Sequence, residues 1–219
     1  MKRLLALGFA LALAVLSQPA AATEDKAYDL LFRNGTLDSV DRQMALVYSR
    51  EVTNTLKPEA ANRDTGDIAL SVDAGDAKLS FRQDGKHRPL GKFPASVGNP
   101  MIMYFYETVV RDMAETAGGS PFYIRNRVKE ALTKPWDVEK SEALVDGETI
   151  PVLVVKMRPF EEDPNRDRMR GFGDLEMSIL MSEEVPGWYL NLTAETVPSS
   201  GSEIVYRSAL AFERLEPVK

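Results

Sequence analysis

The chain has 219 residues, of which 44% are hydrophobic and 27% are charged, with a net charge of −6 and no cysteine. The length fits one domain, and the lack of cysteine excludes disulfides, cysteine nucleophiles, thiolate metal sites and cysteine-held iron–sulfur clusters. An acidic chain without a long basic stretch is also a poor candidate for binding nucleic acid.

The N-terminus has the pattern of a secretory signal peptide. Two basic residues come first, residues 4–16 form an apolar run, and three alanines precede Thr23 as a small-residue cleavage site. The apolar run is shorter than the roughly 20 residues that a membrane-spanning helix needs. We therefore expect residues 1–22 to be removed and residues 23–219 to form a single soluble domain that is periplasmic and not integral to the membrane.

The first half of the mature chain is predicted to hold strands and loops before any long helix. Apolar and polar residues alternate through residues 44–52, which is typical of a half-buried strand, and a turn at residues 73–76 joins two further strands into a hairpin. In chain order we expect a short helix (25–37), a strand (44–52), a loop (57–65), two strands (67–72 and 77–83) and a loop (84–97).

Residues 99–132 are predicted to form two consecutive helices. Asn99 is suited to cap the first helix, a Gly-Gly pair to end it, and Pro135 to stop the second. The first helix opens with six consecutive apolar or aromatic residues, 101–106. Because such a run leaves no polar face, this end of the helix is expected to be covered by protein or to cover an apolar ligand.

The C-terminal part alternates apolar and polar residues over several short segments. The predicted strands are 138–145, 149–158, 175–181, 188–195 and 204–213, with a hairpin turn at Asp146-Gly147 and a charged loop at 161–170. A solvent-exposed polar face and a buried apolar face, repeated over successive hairpins, indicate an antiparallel meander. The sequence therefore predicts an α+β fold in which a central helical pair interrupts an antiparallel sheet.

The motifs of common enzymes are missing. His87 is the single histidine and lies in an expected turn beside two basic residues, and no G-x-S-x-G nucleophile elbow occurs. We interpret His87 as a solvated turn residue and predict no catalytic residue, cofactor or enzymatic activity. A hydrolase that uses two carboxylates stays open as a third hypothesis, since acidic residues are abundant and their spacing singles out no pair.

A D-x-N-x-D pattern at residues 163–167 has the opening of a calcium loop. An EF-hand needs glycine at the sixth position and glutamate at the twelfth, where this chain has Arg168 and Asp174. Three neighbouring arginines would also repel a cation. We interpret this segment as a solvated hairpin loop and predict no metal site.

Methionines are unusually placed on the predicted inward surfaces. Met101, Met103 and Met113 lie on the first helix, while Met177 and Met181 share the inward face of one strand. Methionine fills irregular space and adapts to variable partners. These residues fit an ordinary core, and they equally fit an apolar cavity between helices and sheet; the sequence leaves both alternatives open.

The order of the elements resembles that of the periplasmic half-barrel proteins, which include the LolA and LolB lipoprotein carriers. The segment 174–215, with Pro186-Gly187-Trp188-Tyr189 turning between strands, is similar to the end of those domains. The resemblance implies a curved antiparallel sheet closed by helices over a cavity that accepts lipid chains. It carries over no functional residue.

The leading hypothesis is a periplasmic, non-enzymatic protein that binds a lipid or another apolar ligand between a half-barrel-like sheet and the helical pair. The residues expected to line the cavity are Met101, Tyr104, Phe105, Met113, Met177, Met181 and Trp188. The alternative is an interaction module of the cell envelope, with a solid core and a surface that recognises a partner protein.

Overall fold

The computed structural model describes residues 27–197 and 203–218. Within those ranges the α-helices are α1 (Ala27–Leu31), α2 (Pro58–Asp64), α3 (Met101–Ala117) and α4 (Pro121–Leu132). Short 3₁₀ turns occupy Ala95–Val97, Arg166–Arg168 and Phe172–Asp174. None of these helices is long and apolar enough to cross a membrane. The predicted signal peptide lies outside the described residues.

In the described part of the chain, nine antiparallel strands form one curved, open sheet in the order β4-β3-β2-β1-β9-β8-β7-β6-β5. The strands are β1 (Met44–Asn54), β2 (Gly66–Asp73), β3 (Asp76–Gln83), β4 (Lys86–Pro94), β5 (Val138–Val145), β6 (Glu148–Met157), β7 (Leu175–Met181), β8 (Tyr189–Thr196) and β9 (Tyr206–Pro217). The α+β class and the antiparallel half-barrel-like sheet are confirmed. β9 pairs with β1, which joins the two halves of the chain at the centre of the sheet.

The helical pair has the predicted ends. The side-chain oxygen of Asn99 accepts a hydrogen bond from the Met101 amide at 2.9 Å, and α3 stops at Gly118, whose φ of +78° favours glycine. The Asn99 amide group also donates to the Gly187 carbonyl at 2.8 Å. The cap therefore fixes the start of α3 to the turn that precedes β8.

The main core lies between α3 and one face of the sheet. Phe105 and Val109 of α3 are fully buried and belong to one apolar cluster with Tyr48 of β1 and Leu210 of β9. A smaller apolar cluster, around Val152 of β6, belongs to the opposite face. The main core therefore includes the buried side of α3 and the strands beneath it.

Three segments of the N-terminal half differ from the prediction. The expected loop at 57–65 contains α2, because Pro58 is suited to the first turn of a helix. The expected loop at 84–97 contains β4, an exposed edge strand that pairs with β3. The predicted helix at 25–37 is shorter in the structure, where α1 spans Ala27–Leu31 and its Tyr28 is 47% exposed.

The side-chain alternation of β8 changes phase only at its start, and Leu192 and Ala194 face the main core. A β-bulge between Leu180 and Met181 shifts the pairing, so that Met181 is opposite Tyr189 and Leu180 is opposite Asn191. Tyr189 is consequently buried in the main core, while Leu190 packs against the cluster on the opposite face. One extra residue at a bulge reverses the side-chain alternation, and the sequence pattern alone does not reveal it.

Candidate functional site

The two long helices meet at a sharp elbow. Gly118 and Gly119 both have positive φ, +78° and +91°, which lets the chain turn within two residues. Arg125 of α4 then donates two hydrogen bonds to Glu107 of α3, at 2.8 and 2.7 Å. This bidentate pair bridges the two helices and supports the angle between them.

The loop between β6 and β7, residues 158–174, is fastened over the elbow. The Asp163 carboxylate is fully buried and lies 3.3 Å from Arg127 Nε. It accepts one bifurcated hydrogen bond from the Tyr123 hydroxyl, whose oxygen lies 2.9 and 2.7 Å from the two carboxylate oxygens. Arg170 donates to the Thr116 carbonyl near the end of α3 at 3.0 Å. The sequence had indicated that Asp163 is a solvated loop residue. In the structure it instead anchors the loop to α4.

A groove of about 440 Å³ opens between the elbow and this loop, and we call it the elbow groove. Its lining residues are Met113, Ala117, Gly118, Gly119, Ser120, Tyr123, Ile124, Asn165, Arg168 and Met169. Buried Met113, Ile124 and Met169 provide an apolar floor, whereas Ser120 and Arg168 are exposed. A volume within the usual range of about 300–1,000 Å³, an apolar floor and a few polar groups are the features of small-molecule sites.

Most of the predicted cavity residues lie elsewhere, between α3 and the sheet. Met101, Phe105, Met113, Met177, Met181 and Trp188 are all at most 4% exposed, and Tyr104 is half-buried beside the same cluster. Met113 is the one of the seven that lines the elbow groove. The assignment of the other six to a ligand stays a prediction, and a ligand would reach them only if α3 moved away from the sheet.

The full burial of these residues changes how the cavity can be tested. Phe105 and Met177 are both 0% exposed. A charged side chain at either position would be buried without a partner, which costs several kcal/mol of folding free energy by itself (~2–7 kcal/mol even for an uncharged polar group). Loss of ligand uptake in such a variant would therefore not separate a broken pocket from a broken fold.

Sequence reasoning missed most of the elbow groove. Tyr123 and Met169 carried no pattern that marked them, and the residues of the 163–168 segment were considered only for calcium binding. One groove residue had a recognisable sequence signal, because Ile124 belongs to the apolar stripe of α4. The groove joins this stripe to a loop about 40 residues later in the chain, since Tyr123 and Asp163 are separated by 40 positions.

A buried ion pair connects α3 to the centre of the sheet. Arg50 of β1 is 1% exposed, and its guanidinium donates to the Asp112 carboxylate of α3 at 2.9 Å. The Tyr206 hydroxyl of β9 donates to the same carboxylate oxygen at 2.9 Å. Burial raises the pKa of Tyr206, and the charge of Asp112 raises it further, so the tyrosine stays neutral and acts as a donor.

Asp64 at the end of α2 extends this pair towards the surface. Its carboxylate contacts Arg63 and Arg111, both at 2.9 Å, while its backbone carbonyl accepts a hydrogen bond from Arg50 at 3.1 Å. Arg63 also pairs with Glu115 of α3 at 2.9 Å. Together these residues, with Asp112, form what we call the ion cluster, in which Arg50, Asp64 and Asp112 are buried.

Two carboxylates of this cluster, Asp64 and Glu115, are unsuited to act as general acids at neutral pH. Burial alone would raise the pKa of Asp64, but the hydrogen bond from Arg63 and the charges of Arg111 and Arg50 outweigh it and leave the pKa below its usual value. The hydrogen bond from Arg63 also lowers the pKa of Glu115. A general acid needs a raised pKa, so these lowered values fit structural ion pairs instead.

The cluster should make the stability of the fold dependent on pH. A carboxyl group whose pKa is depressed in the folded state stabilises the protein above its unfolded pKa, about 3.9 for aspartate, and loses that contribution as the pH falls towards the folded value. We expect the free energy of unfolding, measured with urea, to decrease over this range. The Asp64→Asn variant should show a smaller decrease than the wild type; equal pH dependence would contradict the role given to Asp64.

The described ranges contain no group of three or more histidine, cysteine, aspartate or glutamate side chains arranged to hold a metal ion. His87 lies on the exposed edge strand β4 rather than in a turn. Its position opposite Arg82 of β3 places it on the outer strand of the sheet, away from the elbow groove.

No family model matches the chain, and no curated protein matches it. Among solved structures, a match is the crystal structure of the Mycobacterium tuberculosis lipoprotein LppX, with 10% sequence identity and a TM-score of 0.34 over 84% of this chain and 93% of that chain. With an identity and a TM-score this low, neither a residue correspondence nor a role follows from the match. The chain's own helices and strand order define it as an α+β protein with an antiparallel half-barrel-like sheet.

Proposed function

We propose that this protein binds an amphipathic small molecule, with an apolar chain or ring and an acidic head group, in the elbow groove. The observation that carries the proposal is the groove itself, about 440 Å³ in volume, with an apolar floor and an arginine in its lining. This proposal keeps the apolar ligand expected from the sequence and moves its site from the sheet interface to the junction of α3 and α4.

The apolar floor of the groove is the reason for proposing a ligand with an apolar chain or ring. Met113, Ile124 and Met169 come from α3, α4 and the 158–174 loop, so three separate parts of the chain contribute apolar surface to one site. Burying apolar surface gains about 25 cal/mol per Å², or ~0.8 kcal/mol for each CH₂ group. Methionine side chains adapt to ligands of different shape.

An arginine in the lining of the groove is the reason for proposing a ligand with an acidic head group. Arg168 is exposed, and among residues 27–197 and 203–218 no carboxylate forms a salt bridge with it. By contrast, Arg166 of the same turn is paired with Asp174. A guanidinium with free donors beside an apolar floor is complementary to a ligand that carries a carboxylate or phosphate at one end.

The proposal includes a location and the lack of enzymatic activity. We propose that residues 1–22 are a cleaved signal peptide and that the mature protein acts in the periplasm as a binding protein rather than an enzyme. Mass spectrometry of the protein purified from its native host should give a mature form that begins at Thr23. An intact Met1 would contradict secretion by this signal.

The first test of binding is extraction of the purified protein with organic solvent, followed by mass spectrometry. A stoichiometric amphipathic molecule, missing from an unrelated periplasmic control, would support the proposal and identify the ligand class. The fluorescent fatty acid cis-parinaric acid then serves as a probe in titrations. A clean extract together with unsaturable probe binding would overturn the proposal and favour the interaction module.

Replacing Arg168 by glutamate should weaken cis-parinaric acid binding about tenfold, because a charge-assisted contact becomes a repulsive one. The uncharged methyl ester of the probe should bind the wild type and this variant equally. Arg42→Glu is the matched control, since Arg42 is also exposed and lies outside the groove. If Arg42→Glu weakened binding as much, the effect would come from net charge and not from the groove.

A further inference from the structure

We propose a second, independent binding site for a phosphate group, in a depression lined by three arginines where α2, α3 and β4 meet. This depression has a volume of about 480 Å³ and is lined by Arg63, Asp64, Arg88, Arg111 and Glu115. We call it the arginine depression. On α3, it uses residues 111 and 115, whereas the elbow groove uses residues 113 and 117, so the two sites have no lining residue in common.

The arginines are held in place before any ligand arrives. Arg63 is fixed by Asp64 and Glu115, both at 2.9 Å, and Arg111 is fixed by Asp64 and Asp112, also at 2.9 Å. Arg88 lies over the ring of Phe81, with 5.3 Å between its guanidinium carbon and the ring centroid. Side chains that are already ordered lose little conformational entropy when they bind a ligand.

Several N–H donors in the depression have no protein acceptor in the described parts of the chain. Arg111 uses Nε and one terminal nitrogen, Nη2, for Asp64 and Asp112, which leaves both hydrogens of its Nη1 available. Arg88 makes a contact with Phe81 through its face, and its five N–H groups remain available for an acceptor in the plane of the guanidinium. Phosphate, with three or four acceptor oxygens, can bond to two guanidinium groups at once.

The local charge favours an anion although the protein as a whole is acidic, with a net charge of −6. The lining carries three arginines against two carboxylates. Both carboxylates are engaged by Arg63. A depression with a local excess of positive charge attracts a small anion even though the protein has a negative net charge.

The chemistry of the site does not separate a free phosphate from the phosphate of a lipid head group, so the experiment has two arms. In the first, inorganic phosphate is titrated into the full mature protein by calorimetry at low ionic strength. In the second, the protein is sedimented with phosphatidylcholine vesicles that contain phosphatidic acid, and with phosphatidylcholine vesicles alone. Binding in the first arm assigns a soluble ligand, and binding only to the phosphatidic acid vesicles assigns a head group.

The variant Arg88→Glu should weaken the binding seen in either arm about tenfold. Arg88 is exposed and forms no ion pair within residues 27–197 and 203–218, so the fold should survive, which circular dichroism can check. Arg88→Gln should weaken binding less, because it removes a charge without reversing it. The proposal is overturned if neither arm shows saturable binding, or if the control Arg42→Glu weakens binding as much as Arg88→Glu.

Discussion

The Asp112→Ala variant is expected to lose about 3–5 kcal/mol of unfolding free energy, the usual effect of removing one partner from a buried ion pair. Arg50 is 1% exposed and Asp112 6% exposed, so the charge left on Arg50 would have no access to water. The Tyr206 hydroxyl would lose its acceptor as well. Urea denaturation followed by circular dichroism measures the loss directly.

Two comparisons make this expectation specific. In Arg50→Met/Asp112→Leu, apolar side chains replace both charges, and at least half of the lost stability should return, because no unpaired charge is left in the core. Asp76→Ala removes an exposed carboxylate that lies 4.0 Å from Lys92, and should change stability by less than about 1 kcal/mol. A loss below about 1 kcal/mol for Asp112→Ala would show that the pair is not part of the stabilising core.

The Ala117→Trp variant is expected to abolish the binding of cis-parinaric acid. Ala117 is half-buried and lines the elbow groove at the end of α3, so an indole group there would occupy the space proposed for the ligand. Loss of apolar burial for only two or three CH₂ groups, at ~0.8 kcal/mol each, would already reduce affinity more than tenfold. Fluorescence titration gives the dissociation constant of the variant and of the wild type.

The control for Ala117→Trp is Asn126→Trp, which places the same side chain on the exposed surface of α4, outside the groove. It should bind the probe like the wild type. Overpacking can cost about 1–3 kcal/mol of stability, so thermal unfolding of both variants must confirm that they are folded at the assay temperature. Wild-type affinity in a folded Ala117→Trp variant would remove the ligand from the elbow groove.

The sequence predicted the elements whose signals are local. Asn99, whose side chain accepts a hydrogen bond from the Met101 amide, and the Gly118-Gly119 pair marked the ends of α3, and the turn residues of the C-terminal hairpins marked the strands on either side. These signals are local because a cap or a turn is decided by residues within a few positions of one another. The α+β class and the antiparallel sheet followed from them.

The alternation of buried and exposed positions also contained a signal for the buried ion pair. Arg50 occupies an inward position in the alternation of β1, between Tyr48 and Val52, and Asp112 lies on the buried side of α3 beside Met113. A charged residue in the inward phase of two different elements indicates a buried pair, because an unpaired charge in a core is too costly to retain. Their separation of 62 positions hid the pairing from any local reading.

The tertiary structure alone decided which apolar residues form the solid core and which line the groove. Met101 and Met113 belong to the same helix and are both buried, yet only Met113 faces the space between α4 and the 158–174 loop. Tertiary packing also made Asp163 the anchor of its loop, and it brought three arginines from α2, β4 and α3 into one depression. Whether a residue is buried depends largely on its own hydrophobicity, which can be read from the sequence. A groove is a volume that segments distant in the sequence leave unfilled when they pack, so it is defined only by the tertiary structure.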